Sequence, residues 1–323
     1  MNGIELNAYG RLLRPVPDIE AQEIAWWQTF GEVENRFCWV QPRSVQRILR
    51  GHYVKRIARS TSETSHVLEL GCGTGWLCRL LAQAGARRVI GLDFSAAQIE
   101  IARRETRDAG LHDRVDYVCT STAEYASRAK ERFDTLIMHG FLHHLSVAEL
   151  EEVLNASANL VRPGGQILLF EPFRRTPQAS AGPLFWRSIG YQQRLLHAAR
   201  PENPARKLPC SVAEKSWRDI INRRSQAIPP RGPSPKELPI RADELTTLLP
   251  AGWIRESTFP CMLLSHLVVQ EWLLRAESLP LPDHAAVNYV ARLASFLDRI
   301  ACREKNIPEN YWAFDLWVLK RRR

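Results

Sequence analysis

A glycine-rich turn that follows an apolar run is the strongest chemical signal in the sequence. The run Val67–Leu70 ends at Gly71, and glycines recur at positions 73 and 75. Because glycine has no Cβ atom, such a turn lets the backbone approach a ligand closely and adopt conformations that other residues avoid. The helix expected from Trp76 offers free N–H groups at its start. The segment therefore predicts a binding site for a small ligand.

An acidic residue is placed to complete this site. Asp93 ends the apolar run Arg88–Asp93. In a parallel sheet neighbouring strand ends meet at one crevice, where a carboxylate can accept hydrogen bonds from both hydroxyls of a ribose. A structural turn with a capping aspartate is the simpler alternative. Dinucleotide binding is disfavoured, because its GxGxxG fingerprint would need glycine where Trp76 stands, and Glu69 would lie beside a pyrophosphate.

The elements that must position these residues alternate along the middle of the chain. Apolar strands separated by helices are typical of a mostly parallel sheet that is covered on both faces, so we predict a doubly wound α/β fold. The predicted strands are 66–70, 88–93, 115–119, 133–138 and 166–170, and the predicted helices are 76–84, 96–109 and 147–160.

Four regions are predicted from these patterns. Residues 1–62 form an N-terminal helical lid, and residues 63–172 form the ligand-binding core. Residues 173–250, which are rich in proline and arginine, form a helical cap insertion. Residues 251–323 complete the sheet with strands at 253–258 and 312–319 and carry a helical insertion between them, with helical patterns at 262–276 and 285–303.

Composition restricts the class of protein. The 323 residues are 45% hydrophobic and 24% charged, as in an ordinary globular protein. The seven cysteines include no CxxC pair, so neither a disulfide framework nor a zinc site is indicated, and a cytoplasmic location is expected. The net charge of +9 includes the basic tail 320–323. A solvated basic surface is the simpler interpretation, an anionic partner the alternative; a nucleic-acid partner is disfavoured, and the oligomeric state is open.

Four segments together resemble the motifs of class I S-adenosylmethionine (SAM)-dependent methyltransferases. They are Glu69–Gly75, Gly91–Ser95, Phe133–Met138 followed by Leu142–Leu145, and Arg162–Leu169. The resemblance covers roughly residues 65–172 and is much more specific for fold and cofactor than for the methyl acceptor. It implies a Rossmann-like sheet with an antiparallel last strand, and SAM as cofactor.

The resemblance also implies a role for individual residues. The glycine turn would line the methionine part of SAM, Glu69 would orient its ammonium, Asp93 would bind the ribose and Phe94 would pack on the adenine. Thr122 departs from the aspartate that the family often has before an alanine at this place. The implied cofactor-binding residues are Glu69, Gly71, Cys72, Gly73, Gly75, Asp93, Phe94, Thr122, Ala123 and His139.

Methyl transfer to a hydroxyl, a carboxylic acid or an acidic carbon is helped by a base. The candidates follow the fourth and fifth strands: His143, His144 and Glu171, each of which has a structural alternative such as capping a helix. The segment Met138–Phe141 lacks the signature of adenine-N6 enzymes. The Asp-Asn pair of metal-dependent catechol enzymes is also missing, so no metal is expected.

Aromatic residues of the lid and the cap insertion are the candidates for contact with a substrate, with core packing as the alternative. They are Trp26, Trp27, Phe37, Trp39, Phe173, Trp186 and Tyr191. We therefore predict methylation of a small organic metabolite, acidic, aromatic or lipid-like, as in secondary metabolism. The alternatives are an RNA or protein methyltransferase, a SAM-binding enzyme of a non-methylating reaction such as cyclisation, and a SAM-binding protein without catalysis.

Overall fold

A computed structural model describes most of the chain. The described residues are 4–36, 51, 53–61, 65–174, 234–263, 265, 285–301, 312 and 314–322. Most of the predicted cap insertion and of the helical pattern at 262–276 therefore lies outside the described residues.

The described strands build one eight-stranded sheet in the order β3-β2-β1-β4-β5-β8-β7, with the short β6 beside β5. Strands β1 to β5 pair in parallel, whereas β8 runs antiparallel to both β5 and β7. The predicted fold class is confirmed. The strands are β1 (His66–Leu70), β2 (Arg88–Asp93), β3 (Val115–Cys119), β4 (Phe133–His139), β5 (Val161–Arg174), β6 (Ile240–Arg241), β7 (Trp253–Cys261) and β8 (Phe314–Arg321).

Serine side chains begin three of the helices. Ser95, Ser121 and Ser146 each accept a hydrogen bond from the N–H three residues later, which satisfies one of the unpaired donors of a helix start. The described helices are α1 (Pro17–Arg36), α2 (Trp76–Gln83), α3 (Ala96–Asp108), α4 (Thr122–Arg128), α5 (Val147–Leu160), α6 (Ala242–Thr247) and α7 (Ala285–Ala301), with a 3₁₀ turn at Leu142–His144. Residues 53–59 are also helical.

The sheet has an apolar core on each face, because successive side chains of a strand point to opposite sides. Val67 of β1 joins the cluster that includes Leu77 of α2 and Ile99 of α3. Its neighbour Leu68 joins the opposite cluster, with Leu154 of α5. This covering of both faces leaves the carboxyl ends of β1, β2, β4 and β5 as the edge where side chains can meet a ligand.

Three local features differ from the sequence-based prediction. Strand β5 begins at Val161 rather than at residue 166, because the pairing with β4 shifts register and passes from Val161 to Gln166. Gly165 in this bulge approaches the carbonyl of Asp134 so closely that a Cβ would lie 2.8 Å from it. The short helices α4 and α6 escaped prediction, since one or two turns carry too few residues to show a helical period.

The N-terminal segment is fastened to the core before α1 begins. Arg11 is 2% exposed and forms an ion pair with Glu244 of α6, with 3.0 Å between Nε and Oε1. The same guanidinium donates hydrogen bonds to the carbonyls of Leu145 and Leu238. These contacts hold the chain start against both the loop after β4 and the residues that precede β6.

No helix among the described residues is long and apolar enough to cross a membrane.

Two isoleucines on different strands test where the core lies. Ile137 of β4 is fully buried, whereas Ile254 of β7 is 41% exposed. We expect Ile137→Ala to lower the free energy of unfolding by about 2–5 kcal/mol, because the substitution leaves a cavity between packed layers. The matched control Ile254→Ala is expected to change it by less than about 1 kcal/mol. Urea denaturation of both variants checks this, and equal losses would contradict the assigned core.

Candidate functional site

The predicted glycine turn joins β1 to α2 at the carboxyl edge of the sheet. Gly71, Gly73 and Gly75 all have positive φ, at 65°, 52° and 70°. A Cβ at Gly71 would lie 2.5 Å from the ring of Phe141, and one at Gly75 would overlap the Tyr117 side chain. Glycine is therefore required here both by the backbone conformation and by the close approach of neighbouring side chains.

Cys72 lies within the turn but its thiol does not face outward. A Cβ on Gly91 of β2 would meet the Cys72 sulfur at 2.8 Å, so the thiol packs against that strand. The Cys72 amide donates to the carbonyl of Leu92 at 2.9 Å. Burial raises the pKa of this thiol to about 11, so it stays protonated at neutral pH. The backbone of Cys72, rather than its thiol, is the part that shapes the turn.

Asp93 connects the tip of β2 to the glycine turn. Its Oδ2 accepts a hydrogen bond from the amide of Gly73 at 2.9 Å, and its Oδ1 accepts one from the amide of Ser95 at 2.9 Å. Burial raises the pKa of this carboxyl above its ordinary value, against the opposing effect of those amides. The glycine turn and the tip of β2, joined here between residues 20 positions apart in sequence, thus share one carboxylate.

Gln98 places an unpaired polar atom against the turn. Its Oε1 is buried and has no hydrogen-bond partner among the described residues. This oxygen would lie 2.8 Å from a Cβ on Gly73. Because buried polar groups nearly always have a partner, this unpaired acceptor beside the glycine turn is a candidate contact for a bound donor.

Glu69 lies behind the turn and is 2% exposed. The Cys78 thiol of α2 donates to its Oε2 at 2.9 Å. Burial, together with the nearby Asp93 carboxylate, raises the pKa of Glu69 to about 8, so this carboxyl is largely protonated at neutral pH. Its predicted role toward an ammonium group stays a prediction.

The remaining residues predicted to contact the cofactor lie at the same edge. Phe94 follows Asp93 directly and exposes 40% of its surface. Thr122 is 8% exposed at the start of α4, with Ala123 after it. His139 ends β4 and stacks on Phe170 of β5, with 4.6 Å between ring centroids. Contact with the cofactor stays a prediction for these four residues, Phe94, Thr122, Ala123 and His139.

His143 and Glu171, two of the predicted bases, form a buried pair. Glu171 is fully buried at the carboxyl end of β5, and its Oε2 lies 2.7 Å from Nδ1 of His143. Its Oε1 accepts hydrogen bonds from the amides of Phe141 and Leu142, at 2.9 and 2.8 Å. Glu171 therefore both caps the 3₁₀ turn and orients the imidazole of His143. Burial raises the pKa of Glu171 to about 7 and lowers the pKa of His143 to about 3.

His144, the third predicted base, is held by different partners. Its Nδ1 lies 3.1 Å from Oγ of Ser234 and 3.2 Å from Oε1 of Glu23 on α1. The rings of His143 and His144 have centroids 4.0 Å apart. The edge of Trp27 packs on His144, with 5.0 Å between ring centroids. In the part of the chain that is described, Nε2 of neither histidine has a hydrogen-bond partner.

Helix α1 brings the two halves of the site together. The Ser95 hydroxyl donates to the carbonyl of Trp27 at 3.3 Å, and Oε1 of Gln28 accepts from the amide of Ala97 at the start of α3. The same Trp27 contacts His144 with its ring. Helix α1 thus spans from the tip of β2, where Asp93 lies, to the histidine pair.

Only three of the seven residues predicted to contact a substrate lie in the described part of the chain. Trp27 lies at the histidine pair, and its neighbour Trp26 is half-buried on α1. Phe173 stacks on Trp317 of β8, with 4.7 Å between centroids, and belongs to the core. The other four predicted residues, Phe37, Trp39, Trp186 and Tyr191, lie outside the described residues.

Sequence reasoning missed several polar residues of the site. They are Glu23, Gln98, Ser234 and Lys236, all 5% exposed or less. A signal for Glu23 exists, because it lies one helical turn before Trp27 on the face that carries the aromatic residues. Among the described residues, no group of three or more His, Cys, Asp or Glu side chains could hold a metal ion.

The amino-acid sequence of this chain is similar to those of known methyltransferases. A family model described as a methyltransferase domain matches residues 67–165. A ubiquinone biosynthesis O-methyltransferase of Saccharophagus degradans is 32% identical over 154 residues, which are 48% of this chain and 59% of that protein. The enzyme of the same name from Sinorhizobium medicae is 30% identical over 213 residues, covering 62% of this chain and 83% of that protein.

The match to the Saccharophagus protein thus spans less than two thirds of that relative's length. Among solved structures, the N-methyltransferase NodS of Bradyrhizobium japonicum in complex with S-adenosyl-L-homocysteine has a TM-score of 0.45. It is 12% identical, and the alignment covers 88% of this chain and 90% of that one.

The raised pKa of Glu69 makes stability depend on pH. The folded protein holds this proton up to about pH 8, whereas the unfolded chain exposes the carboxyl and releases it at the ordinary pKa of 4.5. The contribution is fully present below 4.5 and is lost as pH rises to about 8, at up to ~1.4 kcal/mol per pH unit. We expect Glu69→Gln to remove this part of the pH dependence, as measured by urea denaturation between about pH 5 and pH 8.

The exposed Glu152 on α5 provides the matched control, since Glu152→Gln changes the same functional group in solvent. A Glu69→Gln protein that keeps the wild-type slope of stability against pH would contradict the assigned burial of the charge.

Proposed function

Because this chain belongs to the class I SAM-dependent methyltransferases, whose cofactor is S-adenosylmethionine, we propose that it methylates a hydroxyl group of a small organic molecule. The observation that carries the choice of a hydroxyl is the His143–Glu171 pair at the edge of the cofactor turn. Methylation of an alcohol or phenol oxygen requires loss of a proton, and a carboxylate-oriented imidazole is a common acceptor for it.

The residues of the glycine turn fit the cofactor. A turn of three glycines with positive φ leaves room for close approach, and the unpaired Oε1 of Gln98 faces Gly73. Asp93 would bind the ribose hydroxyls through lone pairs that its two amide donors leave free, and the exposed ring of Phe94 would pack on the adenine. When bound, SAM supplies an activated methyl group, which moves to the acceptor oxygen as the S–C bond breaks and S-adenosylhomocysteine remains.

The hydrogen bonds around His143 define which nitrogen can take a proton. Glu171 accepts at Oε1 from two backbone amides, and burial raises its pKa to about 7. In the ionised form, which prevails above that pH, its Oε2 receives Nδ1–H of His143. The imidazole is then a neutral Nδ1–H tautomer with a lone pair on Nε2. Burial lowers the pKa of His143, which keeps the ring neutral before the reaction, and the Glu171 carboxylate offsets the cost of the positive charge when the hydroxyl proton arrives.

Glu171 itself is not the proton acceptor in this proposal. Both of its oxygens are engaged and the side chain is fully buried, so it acts by orienting His143. It also stabilises the imidazolium that forms when the hydroxyl proton arrives, as the carboxylate of a catalytic triad does.

A phenolic acceptor is supported by two observations. The relatives that are 30–32% identical are named ubiquinone biosynthesis O-methyltransferases. Aromatic side chains lie on this side of the site: the ring of Trp27 contacts His144, and the ring of Phe141, two residues before His143, packs against Gly71. Flat apolar walls beside a base favour an aromatic ring that carries the hydroxyl.

Binding of the cofactor can be tested at Asp93. We expect Asp93→Ala to weaken binding of SAM and S-adenosylhomocysteine by about tenfold or more, because charge-assisted hydrogen bonds are worth about 1.5–3 kcal/mol. Calorimetric titration measures this, with NAD as the comparison ligand and circular dichroism as the check of folding. The exposed Asp113 provides the control variant, Asp113→Ala. Absence of SAM binding in the wild-type protein would refute the proposed function.

The role of His143 can be tested by turnover. We expect His143→Gln to lower kcat by about 10²–10⁴, because the substituted amide cannot act as a base at neutral pH. Affinity for SAM should be unchanged, since His143 belongs to the acceptor side of the site. Initial rates with a panel of phenols and catechols check this, with the exposed His112→Gln as control. Wild-type kcat in His143→Gln would eliminate this residue as the base.

A further inference from the structure

A buried carboxylate on α1 has no part in the mechanism above. Glu23 is 4% exposed and lies on the face of α1 that meets the histidine pair. Its Oε1 accepts from Nε1 of Trp27 at 2.8 Å and from Oγ of Ser234 at 3.1 Å. Its Oε2 accepts from the amide of Lys236 at 2.9 Å. Donors from α1 and from the segment before β6 therefore converge on one carboxyl, which lies 3.2 Å from Nδ1 of His144.

The charge of Glu23 is retained in spite of this burial. Burial by itself would raise the pKa of Glu23, but the hydrogen bond and charge of His144, with the amide of Lys236 and the indole of Trp27, hold it below its ordinary value. An ionised carboxylate can only accept hydrogen bonds, so the facing Nδ1 of His144 must carry the hydrogen. The free position of that ring is then Nε2.

Several titratable groups among the described residues act on His144. They include Glu23 from α1, His143 from the same 3₁₀ turn, Glu171 from β5 and Glu237 from the segment before β6. Burial and His143 lower the pKa of His144, whereas Glu23 and Glu237 oppose this. Ser234 also lies within hydrogen-bond distance of Nδ1. Because its hydroxyl hydrogen is donated to Glu23, its oxygen accepts from Nδ1 and supports the same tautomer.

Attachment of α1 does not depend on Glu23 alone. Lys236 forms ion pairs with Glu20 of α1 and Glu149 of α5, each at 2.7 Å. At the other side of the helix, Gln28 accepts from the amide of Ala97. Removal of the charge at position 23 should therefore leave α1 docked, and its consequence should be concentrated at His144.

We propose that Glu23 is a positioning residue, which holds His144 as the Nδ1–H tautomer so that its Nε2 can bind the methyl acceptor beside His143. Because Glu23 belongs to α1 and His144 to the loop after β4, this second imidazole is oriented only while α1 is docked. The inference rests on the proposed function for what the oriented imidazole does, but not for the orientation itself.

The tautomer and the pKa of His144 can be measured directly by NMR of protein labelled with ¹⁵N-histidine, titrated with neither SAM nor acceptor present. We expect His144 to be protonated at Nδ1 in the wild-type protein. In Glu23→Gln we expect its pKa to fall by about one unit, because loss of a carboxylate within ~4 Å disfavours the imidazolium. The exposed Glu256→Gln on β7 is the matched control and should leave both unchanged.

A second variant separates Glu23 from its neighbour and remains informative even if Glu23→Gln fails to fold. Ser234→Ala removes the hydroxyl that accepts from Nδ1, and the Nδ1–H tautomer should persist because Oε1 of Glu23 lies 3.2 Å from the same nitrogen. Loss of that tautomer in Ser234→Ala would overturn the proposal. An unchanged His144 titration in a folded Glu23→Gln protein would overturn it as well.

Turnover supplies a separate readout that distinguishes this inference from the proposed function. In Glu23→Gln we expect KM for the phenolic acceptor to rise about tenfold, the loss of one net hydrogen bond, with SAM affinity unchanged. A wild-type protein that methylates no hydroxyl would refute the proposed function, while the NMR titration would still decide whether Glu23 orients His144.

Discussion

The fully buried carboxylate of Glu171 is the interaction on which the site depends. Without it the amides of Phe141 and Leu142 and the Nδ1–H of His143 would lose their acceptor in the protein interior, at a cost of about 1–3 kcal/mol each. By collecting these donors, the end of β5 fixes the loop after β4. That loop places the ring of Phe141 against Gly71 of the glycine turn. The glycine turn and the loop that carries the histidine pair are therefore in direct contact.

The glycine-turn side of this contact is also built around carboxyl groups, whose pKa values are raised by burial. The two carboxyl groups, Asp93 and Glu69, both have raised pKa values, but they have different hydrogen-bond partners. Asp93 receives two amides and binds β2 to the glycine turn, whereas Glu69 meets the thiol of Cys78 inside the core. Since Glu69 is largely protonated and faces the core, Asp93 with its two amide donors is the carboxyl group at the turn itself.

The histidine pair is closed off by α1 rather than by the sheet. This helix contacts the start of α3 through Gln28 and the histidine pair through Trp27 and Glu23. Each imidazole of the pair is therefore tied at Nδ1 to a carboxylate from a different part of the chain, Glu171 from β5 and Glu23 from α1. In the proposed function, cofactor turn, base and lid are thus parts of one polar network enclosed by apolar layers.

The sequence by itself determined the features that arise from neighbouring residues. Strand β1, the glycine turn and the start of α2 follow from an apolar run and from positions that require positive φ, all within about ten residues. Asp93 could be placed as well, because the parallel order of β1 and β2 brings consecutive strand ends together. The tertiary structure decided which of the predicted bases is oriented by which carboxylate. Glu23 and Lys236 are 213 residues apart, and no local pattern encodes a contact across that distance. Such contacts form only because burial of the apolar faces forces α1, the loop after β4 and the segment before β6 together, and their polar groups must then find partners among one another.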